Sequence, residues 1–390
     1  MRILLRPLLL VLAAACAVCA GFCAESAHGA SASLFVAPSG SDSGSCRHSR
    51  PCRTLGYAYR QAEPGEIVQA AGGSYGGQTI PADSSKSSKR DVVIRPAPGA
   101  KVRLAWLEVY GSHVTVQRMR LTSSPYLRTW RGASDVTIRR LHASRFAIMG
   151  SHNVRLIGGS YGPAQNAYSS ISSEGASDAK VATGIRLLGV KIHDYRQTDG
   201  SSHVDCLHIF GARNVIIRRS LFYNCEFFAI LFTKIPSSPV PTPTDVTIED
   251  NFIDCCGQGY FSIYLGDQHG EHWSNFLVRN NSTNKAIGIG SANSTGSSLR
   301  FLANIAPSFD GCGRAGVSAH YNIWYRGSRC GGHDRVASSG FRAPGKHDFH
   351  LRPGAPAVDR GDPGSFPDRD YDGQHRPKGG LPDAGADERG

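Results

Sequence analysis

A short alternating string recurs along most of the chain, each copy opening on a turn-forming residue. The copies are His113-Val114-Thr115-Val116, Asp135-Val136-Thr137-Ile138, Asn153-Val154-Arg155-Leu156, Gly184-Ile185-Arg186-Leu187, Asn214-Val215-Ile216-Ile217, Asp245-Val246-Thr247-Ile248 and Asn275-Phe276-Leu277-Val278. Apolar residues two apart after a turn residue predict half-buried β-strands. From Val114 onward the spacings are 22, 18, 31, 30, 31 and 30 residues. A second apolar element follows seven residues later, from Ile185 to Ile192, Val215 to Phe222 and Val246 to Ile253. A third precedes the string, as Leu207-His208-Ile209 precedes Val215 and Ile148-Met149 precedes Val154. Three short strands per repeat describe a parallel β-solenoid, in which each rung buries its apolar side only by stacking on the next. Helical pattern is confined to Arg53 through Ala62, a short amphipathic segment stopped by Pro64-Gly65 and suited to capping the open end of the core.

The alignment also makes a statement about cysteines. Placing Val215 on Val246 puts Phe222 on Ile253, Asn224 on Cys255 and Cys225 on Cys256. Neighbouring rungs lie ~4.8 Å apart, within disulfide reach. The expectation is a bond from Cys225 to Cys255 or Cys256, leaving the other near Cys206. Of eleven cysteines, Cys16, Cys19 and Cys23 lie in or beside an N-terminal segment that reads as a secretory signal, residues 1–24, with Arg2 and Arg6 ahead of an apolar run and Val18-x-Ala20 as a cleavage site. The other eight, an even number in an exported chain without CxxC spacing, favour disulfides over metal sites. Cys46 with Cys52, and Cys312 with Cys330, bracket short excursions and make plausible local bridges.

Composition then narrows the class. Length alone suggests two or three domains of ~150 residues, but a solenoid is one domain that grows lengthwise. Forty-five glycines and only 19% charged residues fit turns and a stacked interior; they do not fit a disordered chain. No Gly-X-Y period, heptad or long apolar run in the body remains, which removes collagen, coiled coils and multi-span membrane proteins.

At this point a resemblance emerges. Leu34-Phe35-Val36-Ala37-Pro38-Ser39-Gly40-Ser41-Asp42, Cys52-Arg53-Thr54-Leu55, Pro64-Gly65-Glu66-Ile67-Val68 and Gly73-Ser74-Tyr75 resemble the N-terminal part of secreted right-handed parallel β-helix proteins. These form the pectate-lyase-like superfamily of polysaccharide lyases, glycosidases and uronate epimerases. Asp348 through Asp359, Asp372-Gly373, Arg376-Pro377 and Asp383 through Glu388 resemble the C-terminal end of bacterial β-helix proteins that often continue into a surface-anchoring module. The implied architecture is all-β: a right-handed parallel β-helix over residues 32–345 with a short capping helix, and a tail, residues 346–390, packing on the solenoid end. The fold hosts many activities, so function has to come from a site. Neither the paired aspartates of pectin hydrolases nor the Asp-Pro-His motif of alginate epimerases is present.

The densest polar stretch runs from His193 to His208 and contains Asp194, Tyr195, Arg196, Asp199, His203 and Asp205. Such a set suits acid–base work on a sugar. β-Elimination from a uronic acid needs a cation for the sugar carboxylate, Arg196 or Ca²⁺, and a base, for which His203, His208 and Lys234 stand ready with Asp205 beside them. Hydrolysis needs two carboxylates from among Asp194, Asp199 and Asp205. The competing reading is a solvated loop whose Asp and His side chains bond the turn backbone. Asp194, Tyr195, Asp199 and Trp273 are candidates to bind the sugar, and Tyr126 and Trp130 to stack on it. Asp368-x-Asp370-x-Asp372-Gly373 imitates the start of a Ca²⁺ loop, but the bidentate Glu is replaced by Gly379, so Asp383, Asp387 or Glu388 would have to fold back.

Forty-three basic against thirty-one acidic side chains leave a net charge of +12. That favours acidic partners. The arginines form no basic block or nucleic-acid motif, so an anionic polysaccharide is the expected partner of a secreted monomer with no membrane span once the signal is removed. The rival is a non-catalytic surface or matrix protein that uses the solenoid as a rigid carbohydrate-binding platform.

Overall fold

A computed structural model describes residues 31–123, 126–200, 204–234, 239–266, 271–290 and 295–389. The predicted leader lies outside these residues. The chain winds through three parallel sheets in rotation. Sheet I has 12 strands and takes up the recurring string, as in Thr183–Leu188, Arg213–Arg218 and Thr244–Glu249. Sheet II has 13 strands, among them Lys191–Arg196, Leu221–Cys225 and Phe252–Cys255. Sheet III has 10, among them Ser169–Ser172, Leu207–Phe210 and Ile230–Thr233. The result is a right-handed parallel β-helix with three strands per turn. The turn residues that open the strings adopt left-handed backbone: φ is 51° at His113, 53° at Asp135, 50° at Asn214 and 55° at Asn275. Asn and Asp tolerate that region best after glycine, which is why they recur there.

The register agrees with the alignment at Val215 on Val246 and Phe222 on Ile253. It then departs. Asn224, at φ 52°, is an extra residue in its strand, so Tyr223 lies opposite Asp254 and Cys225 opposite Cys255. The bulge turns Cys225 into the core, where it is bonded to Cys206, Cα to Cα 5.3 Å. Cys255 and Cys256 are bonded to each other, so the expected link from Cys225 to that pair is replaced. Cys46 is joined to Cys52 and Cys312 to Cys330.

The turn from sheet I to sheet II carries a buried polar column. The Ser220 amide donates to Asn251 Oδ1 (2.9 Å). Asn251 gives its amide and Nδ2 to Asn281 Oδ1 (3.2 and 2.9 Å), Asn281 gives both to Asn304 (3.1 and 3.0 Å), and Asn304 both to Asn322 (2.9 and 3.1 Å). Asn322 ends on Asp334 Oδ1 (2.8 and 3.0 Å), whose other oxygen accepts from Trp324 Nε1 (2.8 Å). Each asparagine also donates Nδ2 to a backbone carbonyl at the end of the preceding sheet I strand, such as Ile248 from Asn281. All four are fully buried.

At the start of the solenoid the helix Leu55–Gln61 covers the core with Leu55, Ala58 and Tyr59. Thr54 Oγ1 accepts from the Tyr57 amide (3.2 Å) as its N-cap. The tail packs on the flank of the late rungs, against Phe252, Ser282, Ile305 and Ile323. Buried Arg376 pairs with Asp250 (3.2 Å) and Glu388 (2.9 Å) and donates to the carbonyls of Asp383 and Gly385. Asn280 Nδ2 donates to Asp383 O (3.1 Å), and Ser282 Oγ accepts from the Ala386 amide (3.0 Å). Tyr371 stacks on Phe252 at 3.9 Å.

Replacing Asn281 with Leu removes the acceptor for two Asn251 donors inside the core. At ~1–3 kcal/mol for each donor left unsatisfied, the loss is about 3 kcal/mol or more, readable as a fall in denaturant midpoint. Non-reducing peptide mapping should recover Cys206 linked to Cys225, and Cys225→Ser should free a thiol at Cys206; a thiol at Cys255 or Cys256 would contradict the pairing. Burial pushes the Asp383 carboxyl from 3.8 up to about 7, against the Arg389 and Asp359 amides that bond it. The folded state therefore holds a proton that the unfolded chain releases. This contribution is complete below pH 3.8 and is lost as pH rises through about 7. Over that window the melting temperature of the native protein should fall more steeply than that of Asp383→Asn, and equal slopes would refute the assignment.

Candidate functional site

Leu207 and Ile209 enter the core, so strand alternation turns His208 to the outer face of sheet III. There Phe210 stacks on its ring at 3.8 Å and Tyr168 lies at 5.3 Å, leaving His208 only 7% exposed. Fully buried Asp205 brings Oδ2 to 3.2 Å from His208 Nδ1. On the next rung Thr233 Oγ1 is 2.8 Å from Nε2. A carboxylate facing Nδ1 favours the tautomer with its proton there, which leaves the Nε2 lone pair to accept from the Thr233 hydroxyl.

The same face continues toward earlier rungs with aromatic rings and guanidinium groups. Arg145 lies 3.7 Å over the Tyr126 ring. Arg128 sits 4.5 Å over Trp130, bonds the Tyr126 hydroxyl and pairs with Glu108 (3.3 Å). Trp130 stacks on Tyr110 at 5.8 Å. Burial, and then the Asp205 charge, push the Tyr168 phenol above its usual value, while Arg145 pulls it down. Rings with cations between them suit a sugar chain that bears acid groups.

The residues singled out in the sequence therefore divide. Asp205 and His208 come together. His203 lies outside the described residues. Asp199 sits on an exposed loop. Lys234 follows the strand end, and the residue opposite His208 is Leu231, so the lysine is not its register neighbour. Asp194, Tyr195 and Arg196 belong to sheet II. Tyr195 is core: its hydroxyl meets Ser169 Oγ (2.7 Å) and donates to Ser144 O (3.1 Å). The cause is Asp194, whose left-handed φ of 58° breaks the alternation after Ile192 and sends Tyr195 inward. Burial pushes the Asp194 carboxyl up, but bonds from Asn224 and His193 outweigh it and hold it low. Trp273 is also fully buried, edge-on to Phe276, so neither aromatic is available to a sugar. Tyr168, Arg145 and Thr233 escaped the sequence reading. The signal for them was positional: each lies on a sheet III strand, or just before one, in a rung adjacent to His208 or one further back.

The aspartate triple in the tail does not form a loop. Asp370 is buried and accepts the Gln374 and Glu388 amides (2.7 and 3.1 Å), and Asp368 points to solvent. Asp372 instead joins His350 and Asp387, whose ligand atoms lie within 4.8 Å of one another. Both His350 nitrogens are engaged, with Asp348 (2.5 Å) and Asp372 (2.8 Å). Two carboxylates and an imidazole fall short of the six to eight oxygens, roughly, that Ca²⁺ takes. The group is a candidate cation site of the tail, separate from the face that carries His208.

Fold and outer face together define a parallel β-helix with a lateral, aromatic-lined polar surface. No protein-family model matches the chain, and no curated protein sequence does. Among solved structures, the pectate lyase Pel9A is 15% identical with a TM-score of 0.51, covering 93% of this chain and 98% of its own. A rhamnogalacturonan lyase matches at 13% identity and a TM-score of 0.47, over 79% and 90% of the two chains. An alginate lyase from Paenibacillus sp. str. FPU-7 matches at 14% and 0.44, over 66% and 91%. At such identities the likeness is one of fold. Among the described residues no helix is long and apolar enough to cross a membrane, and the four disulfides fit an oxidising compartment.

Proposed function

We propose that the protein is a secreted polysaccharide-acting β-helix that binds an acidic glycan along the outer face of sheet III and cleaves it by β-elimination. The observation that carries this reading is the chain Asp205–His208–Thr233, set beside Tyr168 and Arg145. Asp205 orients the imidazole and stabilises its protonated form. His208 Nε2, on exchanging the Thr233 hydroxyl for substrate, takes the proton from the carbon next to the uronate carboxyl. Arg145 offsets the carboxylate charge that delocalises in the resulting carbanion. The bond from the ring to the glycosidic oxygen then breaks, a ring double bond forms, and the Tyr168 phenol gives its proton to the departing oxygen. No step here is routed through Ca²⁺.

The platform reading has one observation of its own: His208 is 7% exposed with both nitrogens already facing partners, as in a structural histidine. One experiment separates the two. Uronic-acid polymers are incubated with the protein, with and without Ca²⁺, and unsaturated product is followed by ultraviolet absorbance. His208→Ala should lower the rate by roughly 10²–10⁴, the usual worth of a general base. Asp205→Asn should lose activity with its melting temperature little changed. A polymer that binds without any unsaturated product, in native protein and variant alike, would leave the platform.

A further inference from the structure

The net charge is not spread over the solenoid. Residues 89–155 hold thirteen lysines and arginines against three acids, so ten of the twelve net positive charges fall in that stretch. All three acids are engaged elsewhere. Asp91 accepts from Thr115 (2.7 Å), Glu108 pairs with Arg128, and Asp135 faces His113 and Asn153. On sheet II, a different face from the one that carries His208, the rung register brings Arg103 onto Arg120 and Arg120 onto His142. At ~4.8 Å per rung these form a column of two guanidinium groups and an imidazole along the solenoid axis. A second column flanks it at the turn, where Arg118 and Arg140 occupy the left-handed positions (φ 57° and 49°) that other rungs give to Gly158, Gly189, Asp250 and Asn280.

Lys101, Arg103, Arg118, Arg120, Arg140 and His142 all line one open hollow of about 600 Å³, with no carboxylate in its wall. Each of the six is exposed. Like charges opposite one another across a ladder disfavour the pairing, and a bound anion at each rung removes that repulsion. Burial, followed by the Arg120 and His193 charges, pushes the His142 imidazole down. The hollow runs on into a neighbouring one that shares Arg120 and His142 and reaches Ser160 and His193.

We infer that this face of sheet II is a second binding site, taking an extended strand of a carboxylated polysaccharide along the axis, one acid group to each rung. The inference rests on the reading of the partner as an acidic glycan, but on other residues. Nucleic acid is the alternative polyanion. It is disfavoured because the hollow contains no Phe, Tyr or Trp on which a base would stack, whereas sheet III has several. The basic residues look scattered in the chain because the rungs space them 17 to 22 residues apart, and only the winding stacks them.

The test uses the full chain, polygalacturonate as probe, and the triple variant Arg103→Gln, Arg120→Gln, Arg140→Gln. Native protein should bind at low salt, and added salt should weaken binding as screening shortens to ~8–10 Å. The triple variant should bind roughly tenfold more weakly or worse, while Arg300→Gln, an exposed arginine on sheet I outside both sites, binds as native does. Without ligand the triple variant should melt no lower than native protein; with polygalacturonate it should lose most of the ligand-induced rise. Arg120→Gln alone, a milder change at an exposed position, should show an intermediate loss. Undiminished binding in the triple variant overturns the site, as does single-stranded DNA of equal charge binding as tightly and losing as much. The sheet III reading fails separately, by a lack of unsaturated product.

Discussion

The later rungs depend on coupling through buried polar side chains at one turn, from Ser220 to Asp334, where earlier rungs carry Met119, Leu141 and Val190. An asparagine there has no water to turn to. The amide and Nδ2 of Asn251, Asn281 and Asn304 find an acceptor when the next asparagine stands in line, because one Oδ1 accepts both donors of the rung before; Asn322 finds the same in Asp334. A slip of one residue would leave several donors and acceptors unpaired in the core, each at a cost of ~1–3 kcal/mol. Apolar stacking alone is more forgiving, since one aliphatic residue replaces another at little loss. The polar column thus fixes the register of the later rungs, and the register sets which side chains meet on their outer faces.

Much of this could be read in the chain. The turn-opened strings of sheet I obey period two and repeat at near-constant spacing, so their strands and stacking were legible. So was the capping helix at Thr54. Sheet II was less so, because Asp194 and Asn224 each insert a left-handed residue at the same place on successive rungs. That residue reverses the sense of the alternation, and Tyr195 and Cys225 turn inward together. Nothing in a string of residue types marks the reversal, since Asn and Asp also occur at ordinary turns. Trp273 is core for a different reason: its place on the rung turns the indole inward against Phe276, whatever a tryptophan could do on an outer face.

The site itself was half legible. Asp205 and His208 are close in sequence and close in space. Their other partners come from the rung before (Tyr168) and the rung after (Thr233), and only stacking delivers them. The basic side chains of residues 101–142 illustrate the same point more strongly. A solenoid converts a long interval in sequence into one step along an axis, and so builds lines of like chemistry that local motifs do not contain.

The tail has a consequence for how the molecule comes apart. In a linear stack, contacts join nearest neighbours only, so the terminal rung can peel away while the others persist. Arg376, Asn280 and Ser282 tie one segment to several rungs at once. Tail residues also pack with Ile323 of the last turn, so fraying there disturbs a segment anchored on earlier rungs, which makes loss from that end more cooperative.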